Sequence, residues 1–272
     1  MLLRTLGNIL LLLFACIIIA PLFIVVFTMF KTNAQFFNNP VSLSLPITFE
    51  NIVTLFQKQS ILTYFFNSVI VTFSSVLIEL VLASSIAYAI MRYGKSKIGG
   101  FIFSLFALGL MIPSQVNMIP IYSLLRDLHL TNSHVGLILV TLTILLPLSV
   151  FMLTGFVKTL PKELMEAGEI DGASELRLYV QIVVPLMAPF LATTAAFLFV
   201  IVWNDLLFPM LLIVEKSKLT LPLALMQFKG EYMTNYPLLM TGVVVTALPM
   251  IILFIFLQRF FIAGALAGSL KG

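Results

Sequence analysis

The chain has 272 residues, of which 61% are hydrophobic and 10% charged, with a mean hydropathy of +1.14 and a net charge of +4. Soluble domains average about 45–50% apolar and about 25% charged residues, so a soluble core is excluded and an integral membrane protein is expected. The positive charge is scattered over loops with no Lys/Arg-rich arm, which argues against a nucleic-acid partner, and the single Cys16 excludes an internal disulfide or a Cys-based metal site.

A helix that crosses a bilayer needs about 20 mostly apolar residues, and six stretches qualify in chain order. The first is residues 8–30, preceded by Arg4. Its apolar run starts at Thr5 and passes Cys16 without a charge, longer than the roughly 7–15-residue core of a signal peptide, so an uncleaved first span is expected. A polar stretch follows over 31–64, then the second span, 65–91, and a short basic loop from Arg92 to Lys97. The third span is 99–121 and the fourth 135–157. A polar segment, 158–188, separates the fourth from the fifth, 189–214; the loop 215–237 leads to the sixth, 238–262. No strand is expected, because a sheet edge cannot be satisfied in lipid. The expected fold is all-α, with residues 1–272 forming one transmembrane domain without an internal repeat.

Orientation follows from Lys and Arg, which accumulate in cytoplasmic loops. With the N-terminus inside, the inner side holds Arg4, Arg92, Lys95, Lys97, Lys158, Lys162, Arg177, Arg259 and Lys271, against Lys31, Lys58, Arg126, Lys216, Lys218 and Lys229 outside. Both termini and the 158–188 loop are then cytoplasmic.

That loop carries the strongest signal. Pro161 to Pro185 holds five acids, Glu163, Glu166, Glu169, Asp171 and Glu175. Pro161 suits the first position of a helix, Gly172 suits the left-handed residue that ends one, and Ser174 can cap a second short helix running to Pro185. Glu166-Ala167-Gly168, three residues, Gly172, nine residues and Ile182-Val183-Val184-Pro185 resemble the "EAA" loop of bacterial ABC-importer permeases, E-A-A, three residues, G, nine residues, I-x-L-P. Gly168 stands for the second Ala and Val184 for Leu, both small or apolar. I-D-G-A at 170–173, W-N-D at 203–205 and the ending Q-R-F-F-I-A-G-A-L-A-G-S-L-K-G resemble the sugar-importer branch, relatives of the maltose transporter permeases, over roughly the whole chain.

The resemblance implies that Glu166, Ala167, Gly168, Asp171, Gly172, Ala173, Ile182 and Pro185 form a coupling element that docks an ATPase. The bland alternative is a solvated amphipathic loop; small residues flanked by acids favour close approach by a cationic partner. The tail Ser269, Lys271 and Gly272 resembles one inserted between ATPase subunits, where a frayed terminus is the ordinary alternative. Gly230, Glu231 and Tyr232 occupy the position of a loop that related permeases insert into their binding protein.

Glu79 and Asp205 are acids inside expected spans, and such acids are functional suspects; a structural hydrogen-bonding role, a path-lining role and a proton relay all remain open. Trp203, Asn204 and Tyr88 could meet a sugar through ring faces and amides, or serve only in helix packing and an interfacial aromatic belt. Ala89 to Ser96 fits a loose phosphate-loop spacing, but that motif needs a preceding strand and an α/β domain, so no nucleotide site is expected. His129 and His134 have no carboxylate cluster nearby in sequence, and no metal site or catalytic triad is apparent.

Taken with the resemblance, the expected function is a permease subunit, not itself an enzyme, of an ABC importer that moves a carbohydrate, an oligosaccharide above all, by ATP-driven alternating access. The resemblance implies a second homologous permease, two ATPase subunits carrying the ATP and Mg, an extracytoplasmic sugar-binding protein and the lipid bilayer as partners. The rival reading is an ion-coupled secondary transporter using Glu79 and Asp205; such proteins show broken helices in paired repeats. A third is a membrane scaffold that transports nothing.

Overall fold

A computed structural model describes residues 2–42, 44–58, 60–94, 96–227 and 235–269. Among the described residues there are helices and turns but no strand. Among the described residues four helices are long and apolar enough to cross a membrane, and counting each of two bent helix pairs as one span gives up to six.

In order the helices are α1 Leu2–Thr28, α2 Asn33–Asn38, α3 Glu50–Lys58, α4 Ile61–Tyr93, α5 Lys97–Gly109, α6 Met118–Asp127 and α7 His134–Val157. Then come α8 Lys162–Ile170, α9 Glu175–Leu178, α10 Val184–Leu186, α11 Ala188–Trp203, α12 Leu207–Leu212, α13 Leu221–Met226 and α14 Tyr236–Ser269.

The third and fifth spans differ from their expected form. The third bends by 87° between α5 and the stretch Ser114–Asp127, which opens with a 3₁₀ turn over Ser114–Asn117. Pro113 explains the break: it donates no N–H and it disfavours helical backbone at the residue before it. The fifth bends by 74° between Glu175–Leu186 and α11. It ends at Trp203 rather than near residue 214, because the side chains of Asn204 and Asp205 bond to backbone there, Asn204 Nδ2 donating to Val200 O and Asp205 Oδ1 accepting from Leu207 N.

The long helices are apolar on every side, as lipid-facing helices are. Several of their hydroxyl side chains bond within the helix: Thr141 donates to Leu137 O, Ser149 to Leu145 O and Thr241 to Pro237 O. This back-bonding to the preceding turn is how Ser and Thr are accommodated where no water is available.

The chain divides into two compact units. One comprises the stretch up to Phe65 with Thr220–Met250. Its connection between α1 and α3 is knitted around Lys31, which is buried and donates from Nζ to Asn39 O and Pro40 O. Burial holds that ammonium below the ordinary lysine value. Asn51 Nδ2 donates to Met29 O and Lys31 O, and Phe36 stacks on Tyr236 with ring centres 4.9 Å apart.

The other unit comprises Phe66–Leu219 and the stretch from Ile251 on. It has two apolar clusters. One gathers Ala83, Ala87 and Ile90 of α4, Val150, Leu153 and Val157 of α7, and Met165, Val183 and Met187 around α8–α10. The second gathers Val71, Leu125, Leu137, Val140, Val202, Phe208 and Leu212. Beyond it, the strap 213–219 is tied down by side chains that bond its backbone. Asn132, at φ +53°, accepts on Oδ1 from the N–H groups of Val214 and Glu215. Asn67 Nδ2 donates to Ser217 O and Leu219 O, and His134 Nε2 lies 2.9 Å from Lys218 O.

Candidate functional site

The Pro161–Pro185 segment is a helical hairpin. Pro161 sits one position before the helix, at φ −61° and ψ 128°, rather than at its first residue, and α8 begins at Lys162. The end of α8 is a Schellman motif: Ala173 N–H donates to Gly168 O and Gly172 N–H to Glu169 O, both at 3.0 Å. The motif requires a left-handed residue after the helix, and Gly172 has φ +72°. Ser174 then accepts from Arg177 N and caps α9, so both halves of the hairpin have their terminal groups satisfied.

Gly168 sets how closely the halves pack. A Cβ there would stand 2.6 Å from Leu178 Cδ2 and 2.9 Å from Ile182 Cδ1, so Gly lets the two side chains lie directly over the α8 backbone. Beyond α9 the helix passes through a π turn, Tyr179–Val183, whose extra residue lets Val184 N–H reach back to Tyr179 O. Pro185 offers no N–H and its ring crowds the carbonyl four residues back, and the widened turn relieves both.

The hairpin is fastened to α4 by side chains that no spacing rule could have linked. Arg92 pairs through Nη1 with Glu169 at 2.6 Å and through Nη2 with Glu175 at 2.5 Å, while Nε also donates to Glu175 at 3.2 Å. Tyr88 donates its hydroxyl to the same Glu175 at 2.6 Å. One turn further, Ser84 Oγ and Tyr179 Oη are 2.7 Å apart. Arg92 and Tyr88 thus converge on one carboxylate, Glu175, which accepts from both.

The hairpin's exposed surface is mixed, with acids and apolar side chains side by side. Ile170 is 86% exposed and Leu176 is 71% exposed, one on each side of Gly172, and Glu166, Ala167 and Asp171 are exposed with them. Behind the hairpin lies a cavity of about 600 Å³ lined by Arg92, Gly94, Phe103, Lys158, Met165 and Glu166.

The other candidates fall elsewhere. Tyr88 belongs to the hairpin network just described. Trp203 is buried and stacks on Phe199, ring centres 5.5 Å apart at 8°. Asn204 is exposed. Asp205 heads α12 and borders a cavity of about 250 Å³ beside the break in the third span, with Ser114, Gln115 and Thr141. Glu79 is buried among Ser75, Val76, Thr141 and Leu198, with neither carboxyl oxygen hydrogen-bonded to a described residue. Ser269 is the last residue of α14, while Lys271, Gly272, Gly230, Glu231 and Tyr232 lie outside the described residues. No group of His, Cys, Asp and Glu among the described residues is arranged to hold a metal ion.

Residues 79–265 match the family of binding-protein-dependent transport system inner membrane components. The chain is 34% identical over 262 residues to the arabinooligosaccharides transport system permease protein AraQ of Halalkalibacterium halodurans, spanning 95% of this chain and 93% of that one. It is 36% identical over 258 residues to the diacetylchitobiose uptake system permease protein DasC of Streptomyces coelicolor, spanning 94% and 92%. Among solved structures it resembles a chain of a bacterial ABC transporter involved in the import of the acidic polysaccharide alginate. That match has a TM-score of 0.83, 20% identity and 96% coverage of both chains, and it shows the shared fold.

Proposed function

The chain belongs to the family of binding-protein-dependent transport system inner membrane components, and on that premise we propose the cargo, partners and orientation with which it works as the permease subunit of an ABC importer. The cargo is a carbohydrate, an oligosaccharide by analogy with the arabinooligosaccharide and diacetylchitobiose systems to which it is similar. A second permease completes the pathway, two ATPase subunits hydrolyse ATP with Mg, and an extracytoplasmic binding protein delivers the sugar. The 158–188 loop and both termini face the cytoplasm, as the Lys and Arg distribution favours. The tail around Ser269, Lys271 and Gly272 approaches the ATPases, and the loop at Gly230, Glu231 and Tyr232 meets the binding protein.

The observation that carries the coupling assignment is the tip of the hairpin. Ile170 and Leu176 flank Gly172 on a capped, internally bonded loop, beside the exposed Ala167 and the acids Glu166 and Asp171, a surface that a partner with basic side chains can approach closely. The ATPase covers them and its closure on ATP moves the hairpin, which opens and closes the spans. The ion-coupled reading of Glu79 and Asp205 is set aside by the family, and Asp205 already serves as a backbone acceptor.

The test is reconstitution of the permease pair with its ATPase and binding protein in proteoliposomes. ATP-dependent accumulation of a labelled oligosaccharide is expected, unchanged when the proton gradient is collapsed at constant ATP. Uptake that follows the gradient instead would restore the ion-coupled reading. For orientation, single cysteines at Ser174 and Ser217 in a Cys16→Ser background are compared in intact cells. An impermeant thiol reagent should label the second and not the first.

A further inference from the structure

Ser84, Tyr88 and Arg92 are spaced four apart on α4 and so lie on one stripe of the helix. Each bonds the hairpin: Ser84 to Tyr179, Tyr88 to Glu175, Arg92 to Glu169 and Glu175. We propose that Arg92 is the positioning residue that fixes the coupling hairpin to α4 in one register, so that displacement of the hairpin becomes displacement of this span.

Two features of the geometry support this. First, Glu169 lies on α8 and Glu175 on α9, on opposite sides of the Gly172 turn, and one guanidinium holds both. A planar fork with several fixed donors can do this, whereas a lysine ammonium is a point charge on a flexible stem. Second, the apolar packing between hairpin, α4 and α7 is non-directional, so it keeps the elements together without preventing them from sliding. The directional bonds of the stripe are what set the register.

Arg92, Glu169 and Glu175 are partly exposed, with side-chain exposures of 25%, 43% and 51%. Ion pairs this exposed add little to stability. Removing one should therefore leave the fold and the ATPase in place while spoiling transmission, a signature that a merely structural salt bridge lacks.

The inference rests on the hairpin being the ATPase-coupling element, and the experiment separates the two. The full complex is purified with Arg92→Gln, Arg92→Lys, the Glu169→Gln/Glu175→Gln pair and Tyr88→Phe, and ATP hydrolysis and sugar uptake are measured together in proteoliposomes. Arg92→Gln should assemble with ATPase at parental stoichiometry and keep hydrolysing ATP, while sugar moved per ATP falls about tenfold, the double Gln variant matching it because both remove the same contacts. Arg92→Lys should fall between, by roughly two- to fivefold, since it can engage one acid at a time.

Sugar moved per ATP within about twofold of the parental ratio in Arg92→Gln would overturn the inference, that being the range of change expected at an uncoupled site. So would a loss of uptake that merely follows lost abundance in all four variants, or loss of the ATPase from an intact Arg92→Gln permease, which would make Arg92 a docking residue. If the parental complex shows no ATP-dependent uptake, the coupling assignment itself fails, whatever the Arg92 variants do.

Discussion

The hairpin at Pro161–Pro185 and the strap at residues 213–219 are both loops tied to the same compact unit, and they are tied in opposite ways. The strap is held by neutral side chains bonding backbone: Asn132 to the N–H groups of Val214 and Glu215, Asn67 to the carbonyls of Ser217 and Leu219. The hairpin keeps its backbone bonds to itself and is tied by side chains alone, through Arg92, Tyr88 and Ser84. Bonds to backbone fix a loop to a place. A self-contained loop held by side chains can move as a body and carry its contacts with it. The strap is built as an anchor and the hairpin as a lever.

The comparison breaks most sharply at Gly172. With φ +72°, a non-Gly residue there is strained by roughly 1–2 kcal/mol, although space for its Cβ is open within the chain. Gly172→Asp adds a charge beside Asp171 on the partner-facing tip. Insertion and abundance should remain parental, the ATPase should be lost on purification, and uptake should drop to background. Copurification at parental stoichiometry with normal transport would sink the coupling assignment.

Gly168 gives the next largest effect. Its neighbours are the far ends of flexible side chains, so Gly168→Ala should be tolerated, with uptake reduced by no more than about twofold. Gly168→Leu adds several atoms to a filled space, at a cost of about 1–3 kcal/mol, and should pry α8 from α9. Limited proteolysis within 161–178 reads the difference, and equal resistance of the two variants would show that the hairpin is not internally packed.

At the strap, Asn132→Ala removes the acceptor of two exposed N–H groups, which water can satisfy, so the cost in stability is small. Amide exchange at Val214 and Glu215 should speed up, while sugar moved per ATP stays parental, because an anchor and not the lever has been loosened. Asn132→Gly keeps the backbone conformation and loses only the acceptor, so it should show the same exchange. Altered coupling in either variant would merge the two regions that the comparison separates.

The smallest effect belongs to Glu215. Hydrogen bonds from Lys218 and then Ser217 hold its carboxyl below the ordinary value, so any stability it contributes is present above the usual carboxylate range and lost as pH falls through the depressed value. The pair lies at the surface, with side-chain exposures of 39% and 48%, where ion pairs add little, and Glu215→Gln should leave the thermal midpoint unchanged at pH 7. A clear drop would mean that charge, not the amide of Asn132, holds the strap.

The hairpin's turn was legible because Gly172 and Ser174 have conformational requirements that a sequence displays directly. The six spans were legible for the same kind of reason, since bilayer thickness sets a length that apolar runs reveal. The bends were not. The expected third span ran straight through Pro113, because Ser114, Gln115 and Asn117 are uncharged and too few to interrupt the apolar stretch, and around Met187 the chain is apolar on both sides. Arg92 was counted only as a loop charge fixing orientation. Its partners lie 77 and 83 positions away, and packing alone brings them together. For Tyr88 a sugar contact and a packing role stood side by side, and nothing in the sequence pointed to Glu175, which its hydroxyl meets.

The π turn at Tyr179–Val183 has a consequence for phase. It inserts one residue into the helical count, so side chains after it are rotated by roughly 100° relative to an uninterrupted α-helix. The hairpin face that presents Glu175 and Tyr179 to α4 and the faces of the helices beyond are thus set by separate clocks, offset by one position at Pro185. Replacing Pro185 by Leu removes the reason for the offset, and deleting one residue from 180–183 removes the offset itself.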